Sequence, residues 1–419
     1  MLPQQRLCVG QTRERSHSRL AASVPDQFSA ADSALGYLYQ CRVALVFALR
    51  RSGAGDDFNV VLETLDDVVF DKEGQPPDLL QTKHHRARRA NLADASPDLW
   101  KSLRIWCEGL TAKTIPAGAS FYLVTTSRAT AGSAAERLRV VDRDVASARE
   151  RLHATAETST NKANKCAYEV FLALDGNEQR DLLEKVFVID SSPTIAKLDD
   201  RLKAEVRWAA EKQHADAFVS RLEGWWFRRV IQQLRAPAGT SVVLGREVEA
   251  QIDDLRDQFR RDALPIDEDI LAATVDACSY QDHVFVQQVH LCKIGAQRVL
   301  AAVREYFRAF EQRSRWLRED LLLVGELDRY EQRLVEEWDL VFARIKDDLG
   351  PAPADDEKLR AAKDVYRWVE ESVFPIRANV TEAFVTRGSL QMLSDRLRVG
   401  WHPEFLERLR HLLEPEAAS

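Results

Sequence analysis

The 419 residues are enough for two or three domains and a sizeable core, which excludes a single small disulfide-stapled module. With only 17 glycines and 14 prolines against 30% charged residues, collagen-like and low-complexity classes are excluded and a helix-rich globular protein is favoured. The formal net charge of −7 excludes a uniformly basic coat, so a nucleic-acid partner would need a local basic surface.

Residues 1–27 carry Arg6, Arg13, Arg15 and Arg19 against Glu14, with several serines and no periodicity. They share the composition of a transit peptide but are read as a disordered leader or the product of an early start codon. From Phe28, "FSAADSALGYLYQCRVALVFALRR" places Leu35, Leu38, Tyr39, Val43, Val46 and Phe47 at helical spacing, ending near Gly53. Three short strands follow: "FNVVLETL", "DVVF" and, after the turn "DKEGQPP", "DLLQTKHH". Ser96-Pro97-Asp98 opens a second helix whose apolar stripe is Leu99, Trp100, Leu103, Trp106 and Leu110, and "SFYLVTT" is a buried strand. The order is α-β-β-β-α-β.

Beyond Thr126 the strand signal fades, apart from "KVFVID", and helices are expected over 132–157, 162–184, 194–213, 214–235, 244–262, 281–313, 315–348 and 355–372. Acid and base four apart, as in Glu311 with Arg315 and Arg333 with Glu337, read as solvated faces. Near the C-terminus, Arg387-Gly388 and Gly400-Trp401-His402 read as turns, the second leading into a helix at Pro403. The six cysteines lie far apart without a CxxC pair, and no apolar run reaches the ~18 residues of a membrane span, so a reducing, cytoplasmic location is expected and no membrane partner.

The chemistry concentrates at the strand ends. Gln81 and Lys83, two apart on one strand, share a face, and Asp67 at the mouth of the neighbouring strand can meet them. A carboxylate with an amide oxygen supplies the hard oxygen ligands Mg²⁺ prefers, and a lysine can orient or deprotonate an attacking water and balance phosphate charge. Next along the chain come His84, His85, Arg86, Arg88 and Arg89, then Lys101 and Arg104 on the following helix, the strongest basic cluster present. Such a patch holds phosphates without reading base sequence. No P-loop, zinc spacing or nucleophile elbow occurs, so any ATPase must be a partner.

These residues resemble the PD-(D/E)xK nuclease superfamily in its Q-x-K variant, and "GYLYQ", "LETLDDV" and "LLQTKHH" look like the double-stranded-DNA endonuclease domain of antiphage effectors associated with CD-NTases. The resemblance covers about residues 28–126. It implies an α+β, restriction-endonuclease-like N-terminal domain with Asp67 as the metal carboxylate, Asp66 its alternate, Gln81 in the second-acid position, Lys83 the catalytic lysine and Glu63 an auxiliary acid. Mg²⁺ or Mn²⁺ is the implied cofactor. The neutral Gln81 makes a weaker metal site than the parent acid would.

A second resemblance, spanning roughly 160–419 and carried by "FRAFEQRSRWLREDLLLVGELDRYEQRLVEEW" and "FVTRGSLQMLSDRLRVGWHPEFLERL", is to effectors of ABC-three-component defence systems. It implies an SMC/ABC-like ATPase and a small middle component as partners, docked on the helical region. The expected organisation is a leader (1–27), a nuclease-like domain (28–157), a helical middle (158–265) and a helical partner-docking domain (266–419). "GWWFRR" and "RSRWLRED" are candidates for the docking surface, in competition with core packing. The leading expectation is a metal-dependent endonuclease acting on double-stranded DNA in antiphage defence. The alternative is an inactive DNA-binding adaptor or structural subunit of the same complex, and a homo-oligomer is left open.

Overall fold

The computed structural model describes residues 30–85, 91–237 and 240–413. The expected α-β-β-β-α-β order is present. Helix α1 (Ala30–Ala54) leads to strands β1 (Asn59–Leu62), β2 (Val68–Asp71) and β3 (Asp78–Lys83); the two-residue β4 (Asn91–Leu92) precedes helix α2 (Pro97–Thr111), and β5 (Ser120–Thr125) and β6 (Arg128–Ala129) follow. β1, β2 and β3 are antiparallel neighbours, β3 runs parallel to β5, and β4 pairs with β6 outside the main sheet.

The sheet reaches further along the chain than its first five strands. Helices α3 (Ala134–Arg137), α4 (Val145–Thr158), α5 (Lys165–Leu172) and α6 (Gly176–Lys185) lead to β7 (Val186–Ile189), the doubtful "KVFVID" strand, which pairs parallel with β5. After α7 (Leu198–Glu205) and α8 (Ala215–Arg235), β8 (Val243–Leu244) adds antiparallel to β1, and α9 (Gly245–Gln258) follows. The main-sheet order is β7-β5-β3-β2-β1-β8. Two strands therefore come from the stretch expected to be a helical middle region, and only β7 carried a strand signal in the sequence. β8 escaped the sequence reading because two residues show no period, and it forms only because Val243 meets Val60 in register.

Alternate side chains of each strand serve two layers. Val60, Leu62, Val68, Phe70 and Leu80 pack toward α1 and α7–α9, while Val61, Val69, Leu79, Phe121 and Leu123 pack toward α2–α6. The α1 layer merges with the C-terminal helices α10 (Glu268–Ala272), α11 (Val284–Leu291), α12 (Ala296–Arg318), α13 (Glu326–Leu349), α14 (Asp355–Glu371), α15 (Ala383–Asp395) and α16 (Phe405–Leu409) in one continuous apolar core. The expected long helices are broken, one at a polar cap and one at a glycine without a side-chain cap. Asp175 closes a capping box with Glu178 to start α6, and the chain restarts at Gly295 to begin α12, which runs unbroken past 314.

Of the three tryptophans in the proposed docking motifs, Trp226 and Trp316 are core residues and Trp225 is half-buried. Trp226 is fully buried with its Nε1 donating to Cys41 O (2.9 Å), and Trp316 is fully buried with Nε1 donating to Pro265 O (2.7 Å). Arg387-Gly388 is likewise not a turn but mid-helix in α15. Gly388 stands there because α12 crosses close: an added Cβ would lie 2.1 Å from Glu305 O and 2.5 Å from Ala309 Cβ. A buried ion pair locks the same bundle, with Glu331 accepting from Arg313 Nη2 (2.5 Å) and also from Nη1 of the exposed Arg398 (2.8 Å).

Two of the glycines within helices, Gly388 and Gly224, separate packing from propensity. Gly388→Ala should lower stability by about 3 kcal/mol through overpacking. Gly224→Ala on α8, where an added Cβ meets nothing within 4 Å, should raise it by about 0.5–1 kcal/mol. Denaturant titration of the two variants checks both signs.

Candidate functional site

The site lies where the β1–β2 connection meets the C-terminal end of β3. Residues 63–67 make a tight link: Glu63, a non-glycine residue at φ 56°, donates its N–H to Asp67 O (3.1 Å), and Gln40 Nε2 on α1 donates to the same carbonyl. That link sends the two adjacent carboxylates different ways. Asp66 turns inward and is buried; Asp67 stays half-buried.

Asp66 is held by three donors. Its Oδ1 accepts from Gln81 Nε2 and Asp67 N (3.0 Å), and its Oδ2 accepts from Trp106 Nε1 of α2 (2.9 Å). Burial nonetheless dominates and pushes the carboxyl up to about 6, against the pull of those donors. Asp67 instead turns to Thr82, whose N–H (2.7 Å) and hydroxyl (3.1 Å) both donate to Oδ2, leaving Oδ1 outside those bonds.

Gln81 and Lys83 share the α2-facing side of β3, as their spacing requires. Lys83 Nζ donates to Gln81 Oε1 (2.7 Å), so the amide is polarised from both ends, with Lys83 on its oxygen and Asp66 on its nitrogen. Burial lowers the Lys83 pKa, with the charge of Asp67 acting in the opposite direction. The structure thus brings Asp66, Asp67, Gln81 and Lys83 together, with Asp66 rather than Asp67 touching Gln81. Glu63 is exposed and enters through its backbone.

The basic cluster divides by the same two-residue period. His85 follows Lys83 on one side, where its Nε2 bonds Asp98 Oδ2 (2.5 Å), and that bond raises its pKa. His84 points to the other side, where Nε2 accepts from Ile195 N (3.4 Å) and the ring lies 4.7 Å from that of Tyr39, so it does not line the Lys83 side. Lys101 is exposed and Arg104 half-exposed on α2, lining a groove with Asp98. Arg86, Arg88 and Arg89 lie outside the described residues, as does the leader.

Trp106 and Gln40 hold the site without having been singled out for it. Both read as ordinary helix positions, and only an unusually polar atom on an otherwise apolar helix face could have marked them. Asp67 Oδ1, outside the Thr82 bonds, and the Gln81 amide oxygen are the hard oxygen donors that fit a loosely held Mg²⁺, while both oxygens of buried Asp66 are taken by internal donors. Among the described residues, no three His, Cys, Asp or Glu side chains come together as a closed metal cage.

The structure is thus a mixed α+β protein with a carboxylate–amide–lysine cluster at one sheet end and a helical C-terminal region. Residues 285–409 match the family model for C-terminal domain 7 of the ABC-three component (ABC-3C) systems, which assigns that region to a multi-component system. No curated protein matches. Among solved structures, the chain is similar to the Moraxella osloensis Cap4 SAVED/CARF-domain containing receptor at 14% identity and a TM-score of 0.32, over 67% of this chain and 69% of that one. That likeness is too weak to assign the fold. No helix among the described residues is long and apolar enough to cross a membrane.

The raised Asp66 carboxyl has a thermodynamic consequence. Its folded pKa of about 6 exceeds the ordinary 3.8, so the folded chain keeps the proton longer than the unfolded one. Its contribution is fully present below about pH 4 and is lost as pH rises through about 6, to a total of about 3 kcal/mol. In chelator-containing buffer, the stability of Asp66→Asn relative to the parent should therefore rise between pH 4 and 7. A pH-independent difference would contradict the assignment.

Proposed function

We propose that the sheet and its flanking helices form a restriction-endonuclease-like domain that hydrolyses DNA phosphodiesters with Mg²⁺ or Mn²⁺, as the effector of an ABC-three-component antiphage system. The observation that carries this reading is the convergence of Asp67, Gln81 and Lys83 at the shared end of β2 and β3. Asp67, with Oδ1 outside the Thr82 bonds, and Gln81 Oε1 are the residues that would hold the cation, which when bound would polarise a phosphate and acidify a water. Lys83, lowered by burial, orients the attacking water and balances phosphate charge. Asp66 is a positioning residue: it fixes the Gln81 amide so that its oxygen faces Lys83.

Duplex DNA would lie across His85, Lys101 and Arg104 on the Lys83 side. The C-terminal region, matched to the ABC-3C domain, would dock an SMC/ABC-like ATPase and a small middle component, in the cytoplasm. A chain cut at residue 157, the expected end of the nuclease-like domain, would lose β7 and β8 from the sheet and the C-terminal helices from the core of the α1 layer. Partner experiments therefore use the full chain.

Purified protein, alone and with the ATPase, should nick plasmid in Mg²⁺ or Mn²⁺. Lys83→Ala or Asp67→Asn should reduce nicking about 10²-fold or more without loss of folding. Metal-independent DNA binding by a parent that never cleaves would favour the adaptor reading.

Gln81→Glu places a second carboxylate against buried Asp66, in the place of a donor. Without metal the variant should be less stable above pH 6 by about 1–3 kcal/mol, as for an unpaired buried charge. Added Mg²⁺ should recover that loss, read as a Tm that rises with Mg²⁺ more steeply than the parent's.

Lys101→Glu with Arg104→Glu should weaken binding to all duplex sequences alike and reduce the slope of log K against log salt by roughly 2. An unchanged slope in a salt titration would move the DNA path elsewhere.

A further inference from the structure

Among the described residues, neither Glu311 with Arg315 nor Arg333 with Glu337, read in the sequence as solvated faces, forms an ion pair along its helix. Arg315 is taken by Asp269 (2.8 Å) and Asp267 (3.4 Å) from the α10 segment, not by Glu311 one turn earlier on α12. Among the described residues Glu311 makes no ion pair, although it is half-buried. It lines a groove of about 430 Å³ between α12 and residues 274–283, together with Asp276, whose carboxylate accepts from Cys278 N (3.0 Å) and Ser279 Oγ (3.3 Å). Among the described residues, no lysine or arginine lines this groove.

Its walls are aromatic. Tyr306 and Phe310, one turn apart on α12, present parallel rings (6.3 Å between centroids, 3° between planes), and Tyr280 stands edge-on to Tyr306 at 5.8 Å. Phe285 stacks behind Tyr306 at 4.5 Å. Asp395 fixes this wall from within, bonding His283 Nδ1 (3.2 Å) and accepting from the Tyr306 hydroxyl (3.4 Å). Phe310 is 45% exposed, an apolar ring left in solvent beside an unpaired carboxylate.

Aromatic faces and carboxylates with no resident cation make a receptor for a positive side chain, since the ring quadrupole and the acid charge act in the same direction. The parallel ring faces suit a planar guanidinium better than a compact ammonium. The same acidic charge repels phosphate, which argues against a nucleic acid or an anionic lipid surface here. We propose that this groove binds an arginine side chain from a basic segment of a partner polypeptide. One wall of the groove, 306–311, lies inside the region matched to the ABC-3C C-terminal domain and the other just before it, and the site does not depend on the nuclease reading.

The test uses the full chain and three blocked synthetic peptides, Gly-Arg-Gly-Arg-Gly and its lysine and norleucine counterparts, titrated by calorimetry or NMR at low ionic strength. The arginine peptide should bind with a Kd below about 5 mM, the lysine peptide several-fold more weakly and the norleucine peptide undetectably. Glu311→Gln should weaken arginine-peptide binding about five-fold and Phe310→Ala about three-fold, both being rim positions whose variants keep the parent's Tm. No binding by the parent at about 5 mM, equal binding of the arginine and norleucine peptides, or binding unchanged in both variants would overturn the site. Equal binding of the lysine peptide would overturn its assignment to arginine.

Discussion

One buried carboxylate holds the candidate site together. Asp66 sits among donors from three elements: the Gln81 amide on β3, the Trp106 indole on α2 and the Asp67 N–H in its own loop. Each of those donors would be an unsatisfied buried polar group without it, and its ionised form would be costly without them. The result is a polar joint between two sheet strands and a helix, built inside an otherwise apolar layer of Val69, Leu79, Phe121 and Leu123. Satisfied networks of this kind rigidify the groups they hold. Here the group held is Gln81, whose free end meets Lys83.

The joint also divides the labour between neighbouring acids. Because Asp66 is spent on internal bonds, Asp67 is the carboxylate that keeps an oxygen outside the Thr82 contacts and faces the open end. A left-handed backbone at Glu63 and the Gln40 amide on the Asp67 carbonyl keep the link in that shape. Strained backbone of this sort persists when the surroundings over-determine it, as they do here from α1 on one side and β3 on the other.

The sheet ties the site to the rest of the chain. A buried pair of bonds between Gln233 and the backbone of Leu62 fixes α8 to β1 (3.2 Å each way), and Arg42 of α1 binds Glu223 of α8 (2.6 Å) and Ile195 O (2.9 Å). The α1 layer then continues without interruption into the C-terminal bundle. The region matched to the ABC-3C domain model thus shares the core on one face of the sheet, and the carboxylate–amide–lysine cluster lies on the opposite, α2-facing side.

Element type and order through β5 were legible in the sequence, because long periodic segments such as α1 and α2 and the two-residue alternation of "DLLQTK" survive any tertiary context. That alternation also fixed Gln81 and Lys83 on one face. Packing decided the remainder. Which of Asp66 and Asp67 meets Gln81 depends on one turn's backbone, and the side His84 takes depends on where β3 ends. Gly388 reads as a turn until a second helix is seen crossing over it, since a glycine needed for φ and one needed for close approach look alike in sequence. Arg315 chose Asp267 and Asp269 over Glu311 because partners distant in the chain were nearer in space. Local spacing sets which contacts are available, and only the assembled core selects among them.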